Sequence, residues 1–431
     1  MPKNFVEELQ WRGMVHDVMP DTETHLLEKM RVAYIGFDPT SDSLHIGNLV
    51  PIMLLAFFQR SGHKPLALIG GATGMIGDPS GKSSERNLLD EKTLGYNQEC
   101  VRQQLSKFLD FSSGAGNEAV MVNNYDWMKE FSFLDFIRDV GKHITINYMM
   151  AKDSVKNRVT GEGQEGMSFT EFSYQLVQGY DFLYLFQNNE CTLQMGGSDQ
   201  WGNITTGTEL IRRIGGGKGY ALTCPLITKS DGSKFGKSED GNIWLDAKRT
   251  SPYKFYQYWL NTSDEDAGKY IKIFTFLDEM TIKTLISEHE NEKHLKKLQK
   301  RLAQEVTTTV HGESAYDRAV KASDILFSKI AAEDLKKIDE QTFLEIFDGV
   351  DQTEISKTIV TEGLDIIGAL AEKTGFLKSN GEARRALKEN SISVNLNKVS
   401  EGYIITEQDL INDRFILIQR GKKNKFIIKV V

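Results

Sequence analysis

The segment RVAYIGFDPTSDSLHIGN (residues 31–48) decides the fold. Its opening run, RVAYIGF, is mostly apolar and is typical of a strand buried on both faces. Pro39 and a group of small polar residues end this pattern, a helical pattern follows at 47–61, and a second strand-like run occupies 65–70. The segment therefore predicts a β-α-β unit with His45 at the beginning of the helix.

The alternation of strands and helices continues along the chain. Because Pro51 lacks an N–H, it fits only in the first turn of that helix, which must begin at about 47–50. Further strand-like runs lie at 119–123 and 190–195, and helical patterns lie at 98–110, 131–141, 170–187 and 203–214. This order predicts an α/β fold with a Rossmann-like, doubly wound parallel sheet, whose ligands bind beyond the carboxyl ends of the strands.

The rest of the chain changes character twice. Helical patterns rich in Lys, Glu and Leu dominate from about 246 to 335, which predicts an all-α domain. Residues 336–363 are acidic without a clear period and are interpreted as a linker. Two helical patterns and several short β runs in 364–431 predict a small α+β domain, which leaves 1–245 for the sheet.

Composition and charge narrow the class of protein. The chain has 431 residues, 40% of them hydrophobic, and three widely spaced cysteines without a C-x-x-C pair. No apolar run approaches the roughly 20 residues of a membrane span. We therefore expect a cytoplasmic protein without membrane contact or structural zinc. The net charge is −8, yet residues 364–431 carry 12 Lys and Arg against 8 Asp and Glu. Such a basic segment indicates either a contact with a polyanion or a solvated basic face.

The HIGN turn suggests a phosphate site. His45, Gly47 and Asn48 lie where backbone N–H groups and the helix dipole favour an anion, and Thr40 and His45 can add hydrogen bonds. The alternative is a histidine that caps its own turn.

A second segment, KSDGSKFGKSEDG (229–241), carries Lys234 and Lys237 three positions apart among glycines and serines. This pattern predicts a mobile loop whose two ammonium groups neutralise a triphosphate in the transition state. The alternative is a solvated surface loop.

HIGN, followed by KFGKS about 190 residues later, resembles the paired signature of class I aminoacyl-tRNA synthetases. Five segments resemble, in order, those of bacterial-type tyrosyl-tRNA synthetases: YIGFDPTSDSLHIGN, GGATGMIGDPSGKSSER, FSYQLVQGYDF, QMGGSDQWGNI and ITKSDGSKFGKS. The resemblance spans residues 34–238, and the order of the later domains agrees with it. It implies a tyrosine–tRNA ligase, which converts L-tyrosine and ATP to tyrosyl-adenylate and pyrophosphate and then transfers the tyrosyl group to the 3′-terminal ribose of tRNA(Tyr).

The spacing of Tyr174, Gln178 and Asp181 places these residues on one helix face, as a structural polar network or as part of a pocket. The resemblance implies a pocket in which Tyr34 and Asp181 bind the phenol of tyrosine. Phenylalanine would leave the polar end of that pocket unpaired. The implied tyrosine site comprises Tyr34, Asp78, Tyr174, Gln178, Asp181, Gln194 and Gln200.

The resemblance also implies an ATP site formed by Asp38, His45, Gly47, Asn48, Gly197, Asp199, Lys237 and Ser238. For the GGSDQWGN segment, a helix N-cap at Ser198 or Asp199 is the alternative.

The catalytic groups would be Thr40, His45, Lys82, Arg86, Lys234 and Lys237. They would act by positioning and electrostatics without a general base, because the tyrosine carboxylate is already ionised. Mg²⁺ would accompany ATP rather than occupy a metal site of the protein. Ile35, Asn48 and Pro51 depart from the pattern of many relatives, which leaves the affinity for ATP open.

The basic tail resembles a small RNA-binding module that also occurs in a ribosomal protein, so that 364–431 is expected to bind tRNA. Its implied phosphate contacts are Arg384, Arg385, Lys388, Lys422, Lys423 and Lys425. The helical domain at 246–335 would bind the anticodon end of the tRNA. The segment FSFLDFIRDVGKHITINYMM (131–150) forms either core or, by analogy with the family, the interface of a homodimer.

Two other functions stay open. A tryptophan-specific relative, or another nucleotidyltransferase, would share the phosphate-binding groups, although Tyr34 and Asp181 favour a phenol. A non-catalytic RNA-binding protein would be expected to have lost His45, Lys234 or Lys237, and all three are present.

Overall fold

The computed structural model of the chain divides into two compact units. It describes residues 4–80, 90–152, 155–156, 166–233, 235–238, 241–327, 335–336, 338–347, 350–421 and 424–431. The first unit comprises Met1–Thr250 and Tyr258–Val310, and the second comprises Ser251–Gln257 and His311–Val431. Among the described residues, the longest apolar helical stretch falls short of what a bilayer crossing requires.

A six-stranded sheet forms the centre of the first unit. Its strands are β1 (Asp17–Val18), β2 (Val32–Phe37), β3 (Lys64–Ile69), β4 (Val120–Asn123), β5 (Cys191–Gly197) and β6 (Tyr220–Cys224). They lie in the order β1-β6-β5-β2-β3-β4, and all neighbours are parallel except β1 and β6. The predicted doubly wound sheet is confirmed, although the sequence analysis did not predict β1 or β6.

The order of the strands fixes where a ligand can bind. The chain moves outward from β2 through β3 to β4, and then returns to the other side of β2 with β5 and β6. The connections on either side of the β2–β5 boundary therefore run in opposite directions, which opens a crevice at the carboxyl ends of these strands. Because β2 carries Tyr34 and ends before Asp38, and β5 carries Gln194, polar groups from both strands reach this crevice.

Helices alternate with the strands of this sheet along the chain. They are α1 (Phe5–Arg12), α2 (Thr22–Glu28), α3 (Leu49–Arg60), α4 (Glu91–Leu105), α5 (Tyr125–Met128), α6 (Phe133–Asp139), α7 (Ile146–Met150), α8 (Phe169–Asn189) and α9 (Trp201–Leu210). A single 3₁₀ turn, Ile46–Asn48, leads into α3 and leaves Pro51 in the first helical turn, as predicted. A reciprocal capping box between Ser168 and Glu171 begins α8.

The helical character predicted for 246–335 is confirmed for the described residues 252–327. The helices are α10 (Pro252–Leu260), α11 (Asp264–Phe274), α12 (Glu279–Asn291), α13 (Lys297–His311) and α14 (Glu313–Phe327). Immediately before them, β7 (Lys237–Ser238) and β8 (Gly241–Asn242) form a short antiparallel pair.

The second unit has its own α+β core. Its helices after α14 are α15 (Glu340–Ile346), α16 (Lys357–Thr361), α17 (Ile366–Leu370) and α18 (Asn380–Lys388). Its strands are β9 (Gln352–Ile355), β10 (Leu364–Asp365), β11 (Ile392–Val394), β12 (Asn397–Lys398), β13 (Ile404–Ile405), β14 (Phe415–Arg420) and β15 (Asn424–Val430). Five strands form one sheet in the order β12-β11-β14-β15-β9.

The segment 336–363 contributes to this core. It contains α15, β9 and α16, none of which the sequence analysis predicted. Strand β9 pairs in parallel with β15, and Ile355 and Val360 are buried in the same apolar cluster as the strands of the tail. A lack of period in the sequence therefore did not indicate a lack of structure here.

Candidate active site

A cavity of about 910 Å³ opens at the carboxyl ends of β2 and β5 in the first unit. It is lined by every residue of the implied tyrosine site and by most of the implied ATP site. These residues are Tyr34, Asp38, Thr40, His45, Gly47, Asn48, Asp78, Tyr174, Gln178, Asp181, Gln194, Gly197, Asp199 and Gln200. Segments far apart in the sequence thus converge on one site.

Some of the residues predicted for this site, and two predicted for the RNA contact, are not described by the structure. Lys82, Arg86, Lys234, Lys422 and Lys423 lie outside the described residues. The backbone of Lys237 and Ser238 forms β7, which pairs with β8. Their roles remain predictions.

Asp181 is a buried carboxylate at the centre of α8. It accepts hydrogen bonds from Trp127 Nε1 and Asn124 Nδ2, both at 2.9 Å. Burial raises the pKa of Asp181 to about 7, although the two donors oppose this shift. A carboxylate that is held by two donors and lines a cavity is well suited to accept a further hydrogen bond from a ligand hydroxyl.

The Tyr34 hydroxyl lines the same cavity and is oriented by packing. Its ring contacts Phe182 at a centroid distance of 5.6 Å, and its side chain is only 1% exposed. Within the described residues the hydroxyl oxygen has no hydrogen-bond partner, and neither has Oε1 of the buried Gln194. Because both residues line the cavity, a ligand bound there could provide the missing partner for each of these atoms.

A chain of hydrogen bonds connects Asp181 with Asp38. Asn124 Nδ2 also donates to Thr73 Oγ1 at 3.1 Å, and Thr73 Oγ1 donates to Asp38 Oδ1 at 2.6 Å. The other oxygen of Asp38 accepts from the Tyr174 hydroxyl at 2.9 Å. Asp38, expected on the ATP side, therefore also holds a residue of the implied tyrosine site.

A second polar network joins the amide side chains. Gln200 Nε2 donates to Asp78 Oδ2 at 2.8 Å, and Asn203 Nδ2 donates to Gln178 Oε1 at 3.1 Å. Asn203 also lies 3.3 Å from Gln200 Oε1. This cluster presents amide and carboxylate oxygens, which suit a ligand ammonium group.

The HIGN turn is closed by reciprocal hydrogen bonds. Gly47 N donates to His45 Nδ1 at 3.0 Å, and His45 N donates to Asn48 Oδ1 at 3.0 Å. His45 therefore does cap its own turn, through Nδ1. This capping bond does not exclude a role for Nε2 in binding. Because Nδ1 accepts a hydrogen bond, the neutral ring carries its proton on Nε2, which makes Nε2 a donor. A Cβ at position 47 would lie 2.7 Å from His45 Cε1, so the turn requires glycine.

The HIGN turn contacts the KFGKS segment directly. Gly236, with φ +89°, is so close that a Cβ there would lie 3.4 Å from Gly47 N and 3.3 Å from Ile46 Cγ1. Backbone hydrogen bonds extend the contact, because Ile46 N donates to Ile243 O at 2.9 Å and Ile243 N donates to Gly236 O at 3.0 Å. The two signature segments, about 190 residues apart, thus meet at one wall of the cavity.

The GGSDQWGN segment forms the turn between β5 and α9. Gly197 is the N-cap of the 3₁₀ turn Ser198–Gln200, without a side-chain capping bond, so neither Ser198 nor Asp199 is the cap. A Cβ at position 197 would lie 2.7 Å from Asp199 Oδ1. Glycine therefore lets the Asp199 carboxylate fold back over the strand end at the cavity wall.

Sequence reasoning missed several residues of the site. They are Thr73, Asn124, Trp127, Asn203 and Trp244. Asn203 and Thr73 stand inside segments that carried the family resemblance, whereas Asn124 and Trp127 follow β4 at the carboxyl edge of the sheet, a position that would have indicated them. Trp244 pairs with His45 in an isolated β-bridge and has its ring edge-on to the imidazole at 6.1 Å.

In the second unit, three of the predicted RNA contacts lie on one helix, and a fourth, Lys425, lies on β15. Arg384, Arg385 and Lys388 are exposed on α18, and Arg384 Nε lies 3.3 Å from Glu401. Lys425, by contrast, lies over the Phe347 ring, and burial lowers its pKa.

Comparisons with known proteins agree with this geometry. A family model described as tRNA synthetases class I (W and Y) matches residues 28–328, and one described as a tyrosine–tRNA ligase SYY-like C-terminal domain matches 342–428. A tyrosine–tRNA ligase of Flavobacterium johnsoniae is 65% identical over 431 residues, 100% of both chains, and one of Bacteroides fragilis is 62% identical over 99% of each.

Solved structures extend the comparison. A C-terminally truncated mitochondrial tyrosyl-tRNA synthetase of Aspergillus nidulans matches with a TM-score of 0.67 and 32% identity, covering 75% of this chain and 94% of that one. A tryptophanyl-tRNA synthetase of Encephalitozoon cuniculi bound to tryptophan matches with a TM-score of 0.51 and 15% identity, covering 79% of this chain and 91% of that one. The latter shares the fold alone.

Proposed function

This chain belongs to the class I tRNA synthetases of the tryptophan and tyrosine group, and we propose that it is a tyrosine–tRNA ligase. One observation carries the choice of amino acid: the buried Tyr34 hydroxyl and the Asp181 carboxylate line the same cavity as the HIGN turn. A phenol O–H can donate to Asp181 and accept from Tyr34, whereas phenylalanine leaves both unpaired. The tryptophan alternative is disfavoured because an indole N–H can donate to the carboxylate but cannot accept from a hydroxyl.

The amide network would hold the other end of the amino acid. An α-ammonium group has three N–H donors, and Asp78, Gln178 and Tyr174, whose side chains carry oxygen acceptors, all line the cavity. The tyrosine carboxylate then faces ATP. It is ionised at neutral pH, so it attacks the α-phosphorus without a general base, and pyrophosphate leaves.

Catalysis of this step would come from the HIGN and KFGKS segments. Charge grows on the phosphate oxygens during attack, and preorganised donors stabilise it. His45 Nε2–H and Thr40 would donate from one side of the cavity, and the lysines of KFGKS and of GKSSER would supply positive charge. Mg²⁺ would enter as the complex with ATP, because phosphate oxygens are its preferred ligands.

The second unit would bind tRNA(Tyr). Arg384, Arg385 and Lys388 form an exposed positive face on α18, and charged contacts of this kind position RNA by its phosphates.

We also propose that the chain acts in the cytoplasm as a homodimer. The dimer interface would be an apolar patch of Phe133, Leu134, Ile137, Ile146 and Phe169, all of which are exposed in the single chain.

Amino-acid-dependent exchange of pyrophosphate into ATP tests this proposal. Each of the twenty amino acids is offered separately with Mg²⁺, ATP and labelled pyrophosphate. We expect exchange with tyrosine, little with phenylalanine and none with tryptophan. Exchange that is fastest with tryptophan, or that does not depend on an amino acid, would overturn it.

A further inference from the structure

The KFGKS segment is held at its centre by an aromatic cluster. The Phe235 ring stacks on Phe274 with a centroid distance of 5.2 Å and an interplanar angle of 8°. Tyr270 meets the same ring edge-on at 5.0 Å. Trp259 and Tyr258 lie at 6.0 and 6.4 Å. We call Tyr258, Trp259, Tyr270 and Phe274 the aromatic seat.

The residues of the aromatic seat also pack on one another. Trp259, Tyr270 and Phe274 are all buried, and they pack on one another with centroid distances between 5.2 and 6.2 Å. These residues come from the end of α10 and from α11, so the seat is built on helices. Side chains locked by packing on helices place a neighbouring segment more accurately than a loop alone can.

The next residue ties the same segment to the HIGN turn. Gly236 N lies 3.4 Å from the Tyr258 hydroxyl, while its missing Cβ faces Ile46 and Gly47. Any side chain at this position would be strained, because φ is +89°. Phe235 and Gly236 therefore fix the segment between the aromatic seat and the HIGN turn. Lys234 and Lys237 flank these two residues in the sequence.

We propose that Phe235 is a positioning residue for phosphate activation: its insertion into the aromatic seat fixes the backbone at Phe235 and Gly236 against the HIGN turn. The inference rests on the proposed function and adds to it, because the family signature accounts for the lysines and not for the ring between them. The described contacts show how Phe235, near the middle of this segment, is held by the aromatic seat.

Phe235→Leu tests the inference in the full chain. Leucine keeps an apolar side chain and loses ring stacking. We expect the rate constant for tyrosyl-adenylate formation, measured by single-turnover quenched flow, to fall about tenfold or more, because small errors in position are costly in such reactions. The dissociation constant for tyrosine should stay within twofold. Phe274→Leu should also lower the rate constant. Because both substitutions remove the same ring stack, the rate constant of the double variant should be little lower than that of the slower single variant.

Phe5→Leu is the matched control. Phe5 is a buried phenylalanine in an edge-to-face pair with Phe58 at 5.1 Å, on α1 of the same unit. It should lower the melting temperature without changing the rate constant. If Phe235→Leu is insoluble, Phe235→Met replaces it.

The outcomes separate the two proposals. Wild-type chain that fails to exchange pyrophosphate with tyrosine refutes the proposed function. Wild-type activity together with a Phe235→Leu rate constant within twofold of it overturns the inference alone. An equal loss of tyrosine affinity and rate also overturns it, because that result indicates a general disturbance of the fold.

Discussion

At the scale of single residues, the site contains polar groups that the surrounding protein leaves unsatisfied. The Tyr34 hydroxyl is buried without a partner among the described residues, although leaving such a group unpaired costs about 1–3 kcal/mol. Tyr174, a similar buried tyrosine, donates to Asp38 at 2.9 Å. The contrast suggests that Tyr34 is retained for what it binds, whereas Tyr174 also contributes to the fold.

Tyr34→Phe should therefore stabilise the protein and weaken its choice of amino acid. Removing an unpaired hydroxyl should raise the melting temperature by about 1–3 °C. The ratio of kcat/KM for tyrosine over phenylalanine in pyrophosphate exchange should fall by roughly 3–10-fold, the worth of one hydrogen bond. Tyr174→Phe is the control and should lower the melting temperature. Equal destabilisation by both variants would count against this account of Tyr34.

Asp181 should make tyrosine binding depend on pH. Its folded-state pKa is raised to about 7, chiefly by burial, so it binds a proton as the pH falls through that value. The protonated form no longer accepts the phenol O–H as a carboxylate does. We expect the dissociation constant for tyrosine to rise as the pH is lowered from 8 to 6, by up to tenfold per unit below pH 7. In Asp181→Asn the dissociation constant for tyrosine should be larger and should not change with pH. A flat wild-type profile would contradict the assignment.

The same shift has a defined effect on stability. Because the folded pKa lies above the unfolded value of 3.8, the folded state binds more protons between the two values. The stability that this proton contributes is full at low pH and is lost as the pH rises through 7. Burial of this carboxylate thus weakens the fold at the pH at which the site would work, a cost often seen at functional sites.

At the scale of the elements, what could be predicted depends on how local the signal is. β2, β3 and α3 followed from apolar runs and from Pro51, because each of these patterns is complete within one short stretch of the sequence. β6 was missed although it is fully buried, and β9 was missed because it is a short, exposed strand stabilised by pairing with β15. Nothing within a strand of this kind identifies its distant partner.

The candidate site shows the same division. Tyr174, Gln178 and Asp181 were found because helical spacing brings them onto one face of α8. Asn124 and Trp127, which hold Asp181, come from more than 50 positions earlier in the chain. The seat of Phe235 is likewise assembled from α10 and α11. Contacts of this kind follow from topology and packing and leave little trace in local sequence.

The positive face of α18 should affect tRNA charging alone. Substituting Arg384, Arg385 and Lys388 by Gln removes three exposed charges without disturbing the buried side of the helix. We expect kcat/KM for tRNA(Tyr) in aminoacylation to fall by about tenfold or more and to depend less steeply on salt. Tyrosine-dependent exchange is the internal control and should not change. Lys357→Gln, an exposed charge on α16, controls for charge removal elsewhere. Unchanged aminoacylation would remove α18 from the RNA contact.

At the scale of the whole molecule, the apolar patch on α6, α7 and α8 is the best candidate for an interface between two copies. Phe133, Leu134 and Ile137 lie within about one turn of α6 and are 65%, 75% and 45% exposed, and adjacent exposed side chains of this size are unusual on a monomer. Phe136, on the same helix, packs against Tyr180 of α8 with a ring-centroid distance of 6.1 Å, so α6 contacts α8 of the first unit.

A negative charge introduced into this patch by substitution should prevent dimer formation. We expect the wild-type chain to sediment with twice its mass of 48.7 kDa, and Phe133→Asp/Ile137→Asp to sediment as a single chain, because burying an unpaired carboxylate is unfavourable. Met280→Asp, at a highly exposed apolar residue of α12 outside the patch, should leave the mass unchanged. A wild-type monomer, or a double variant that remains dimeric, would contradict this interface.

The central claim is that one cavity holds the phenol between Tyr34 and Asp181 and the reacting phosphate at the contact between HIGN and KFGKS. A crystal structure with a non-hydrolysable tyrosyl-adenylate analogue measures both distances directly. The account predicts the phenol oxygen within about 2.6–3.2 Å of Tyr34 and Asp181, and the phosphate group within the same reach of donors in the HIGN turn. An analogue bound with its ring away from Asp181, or with its phosphate beyond the reach of both segments, would contradict it.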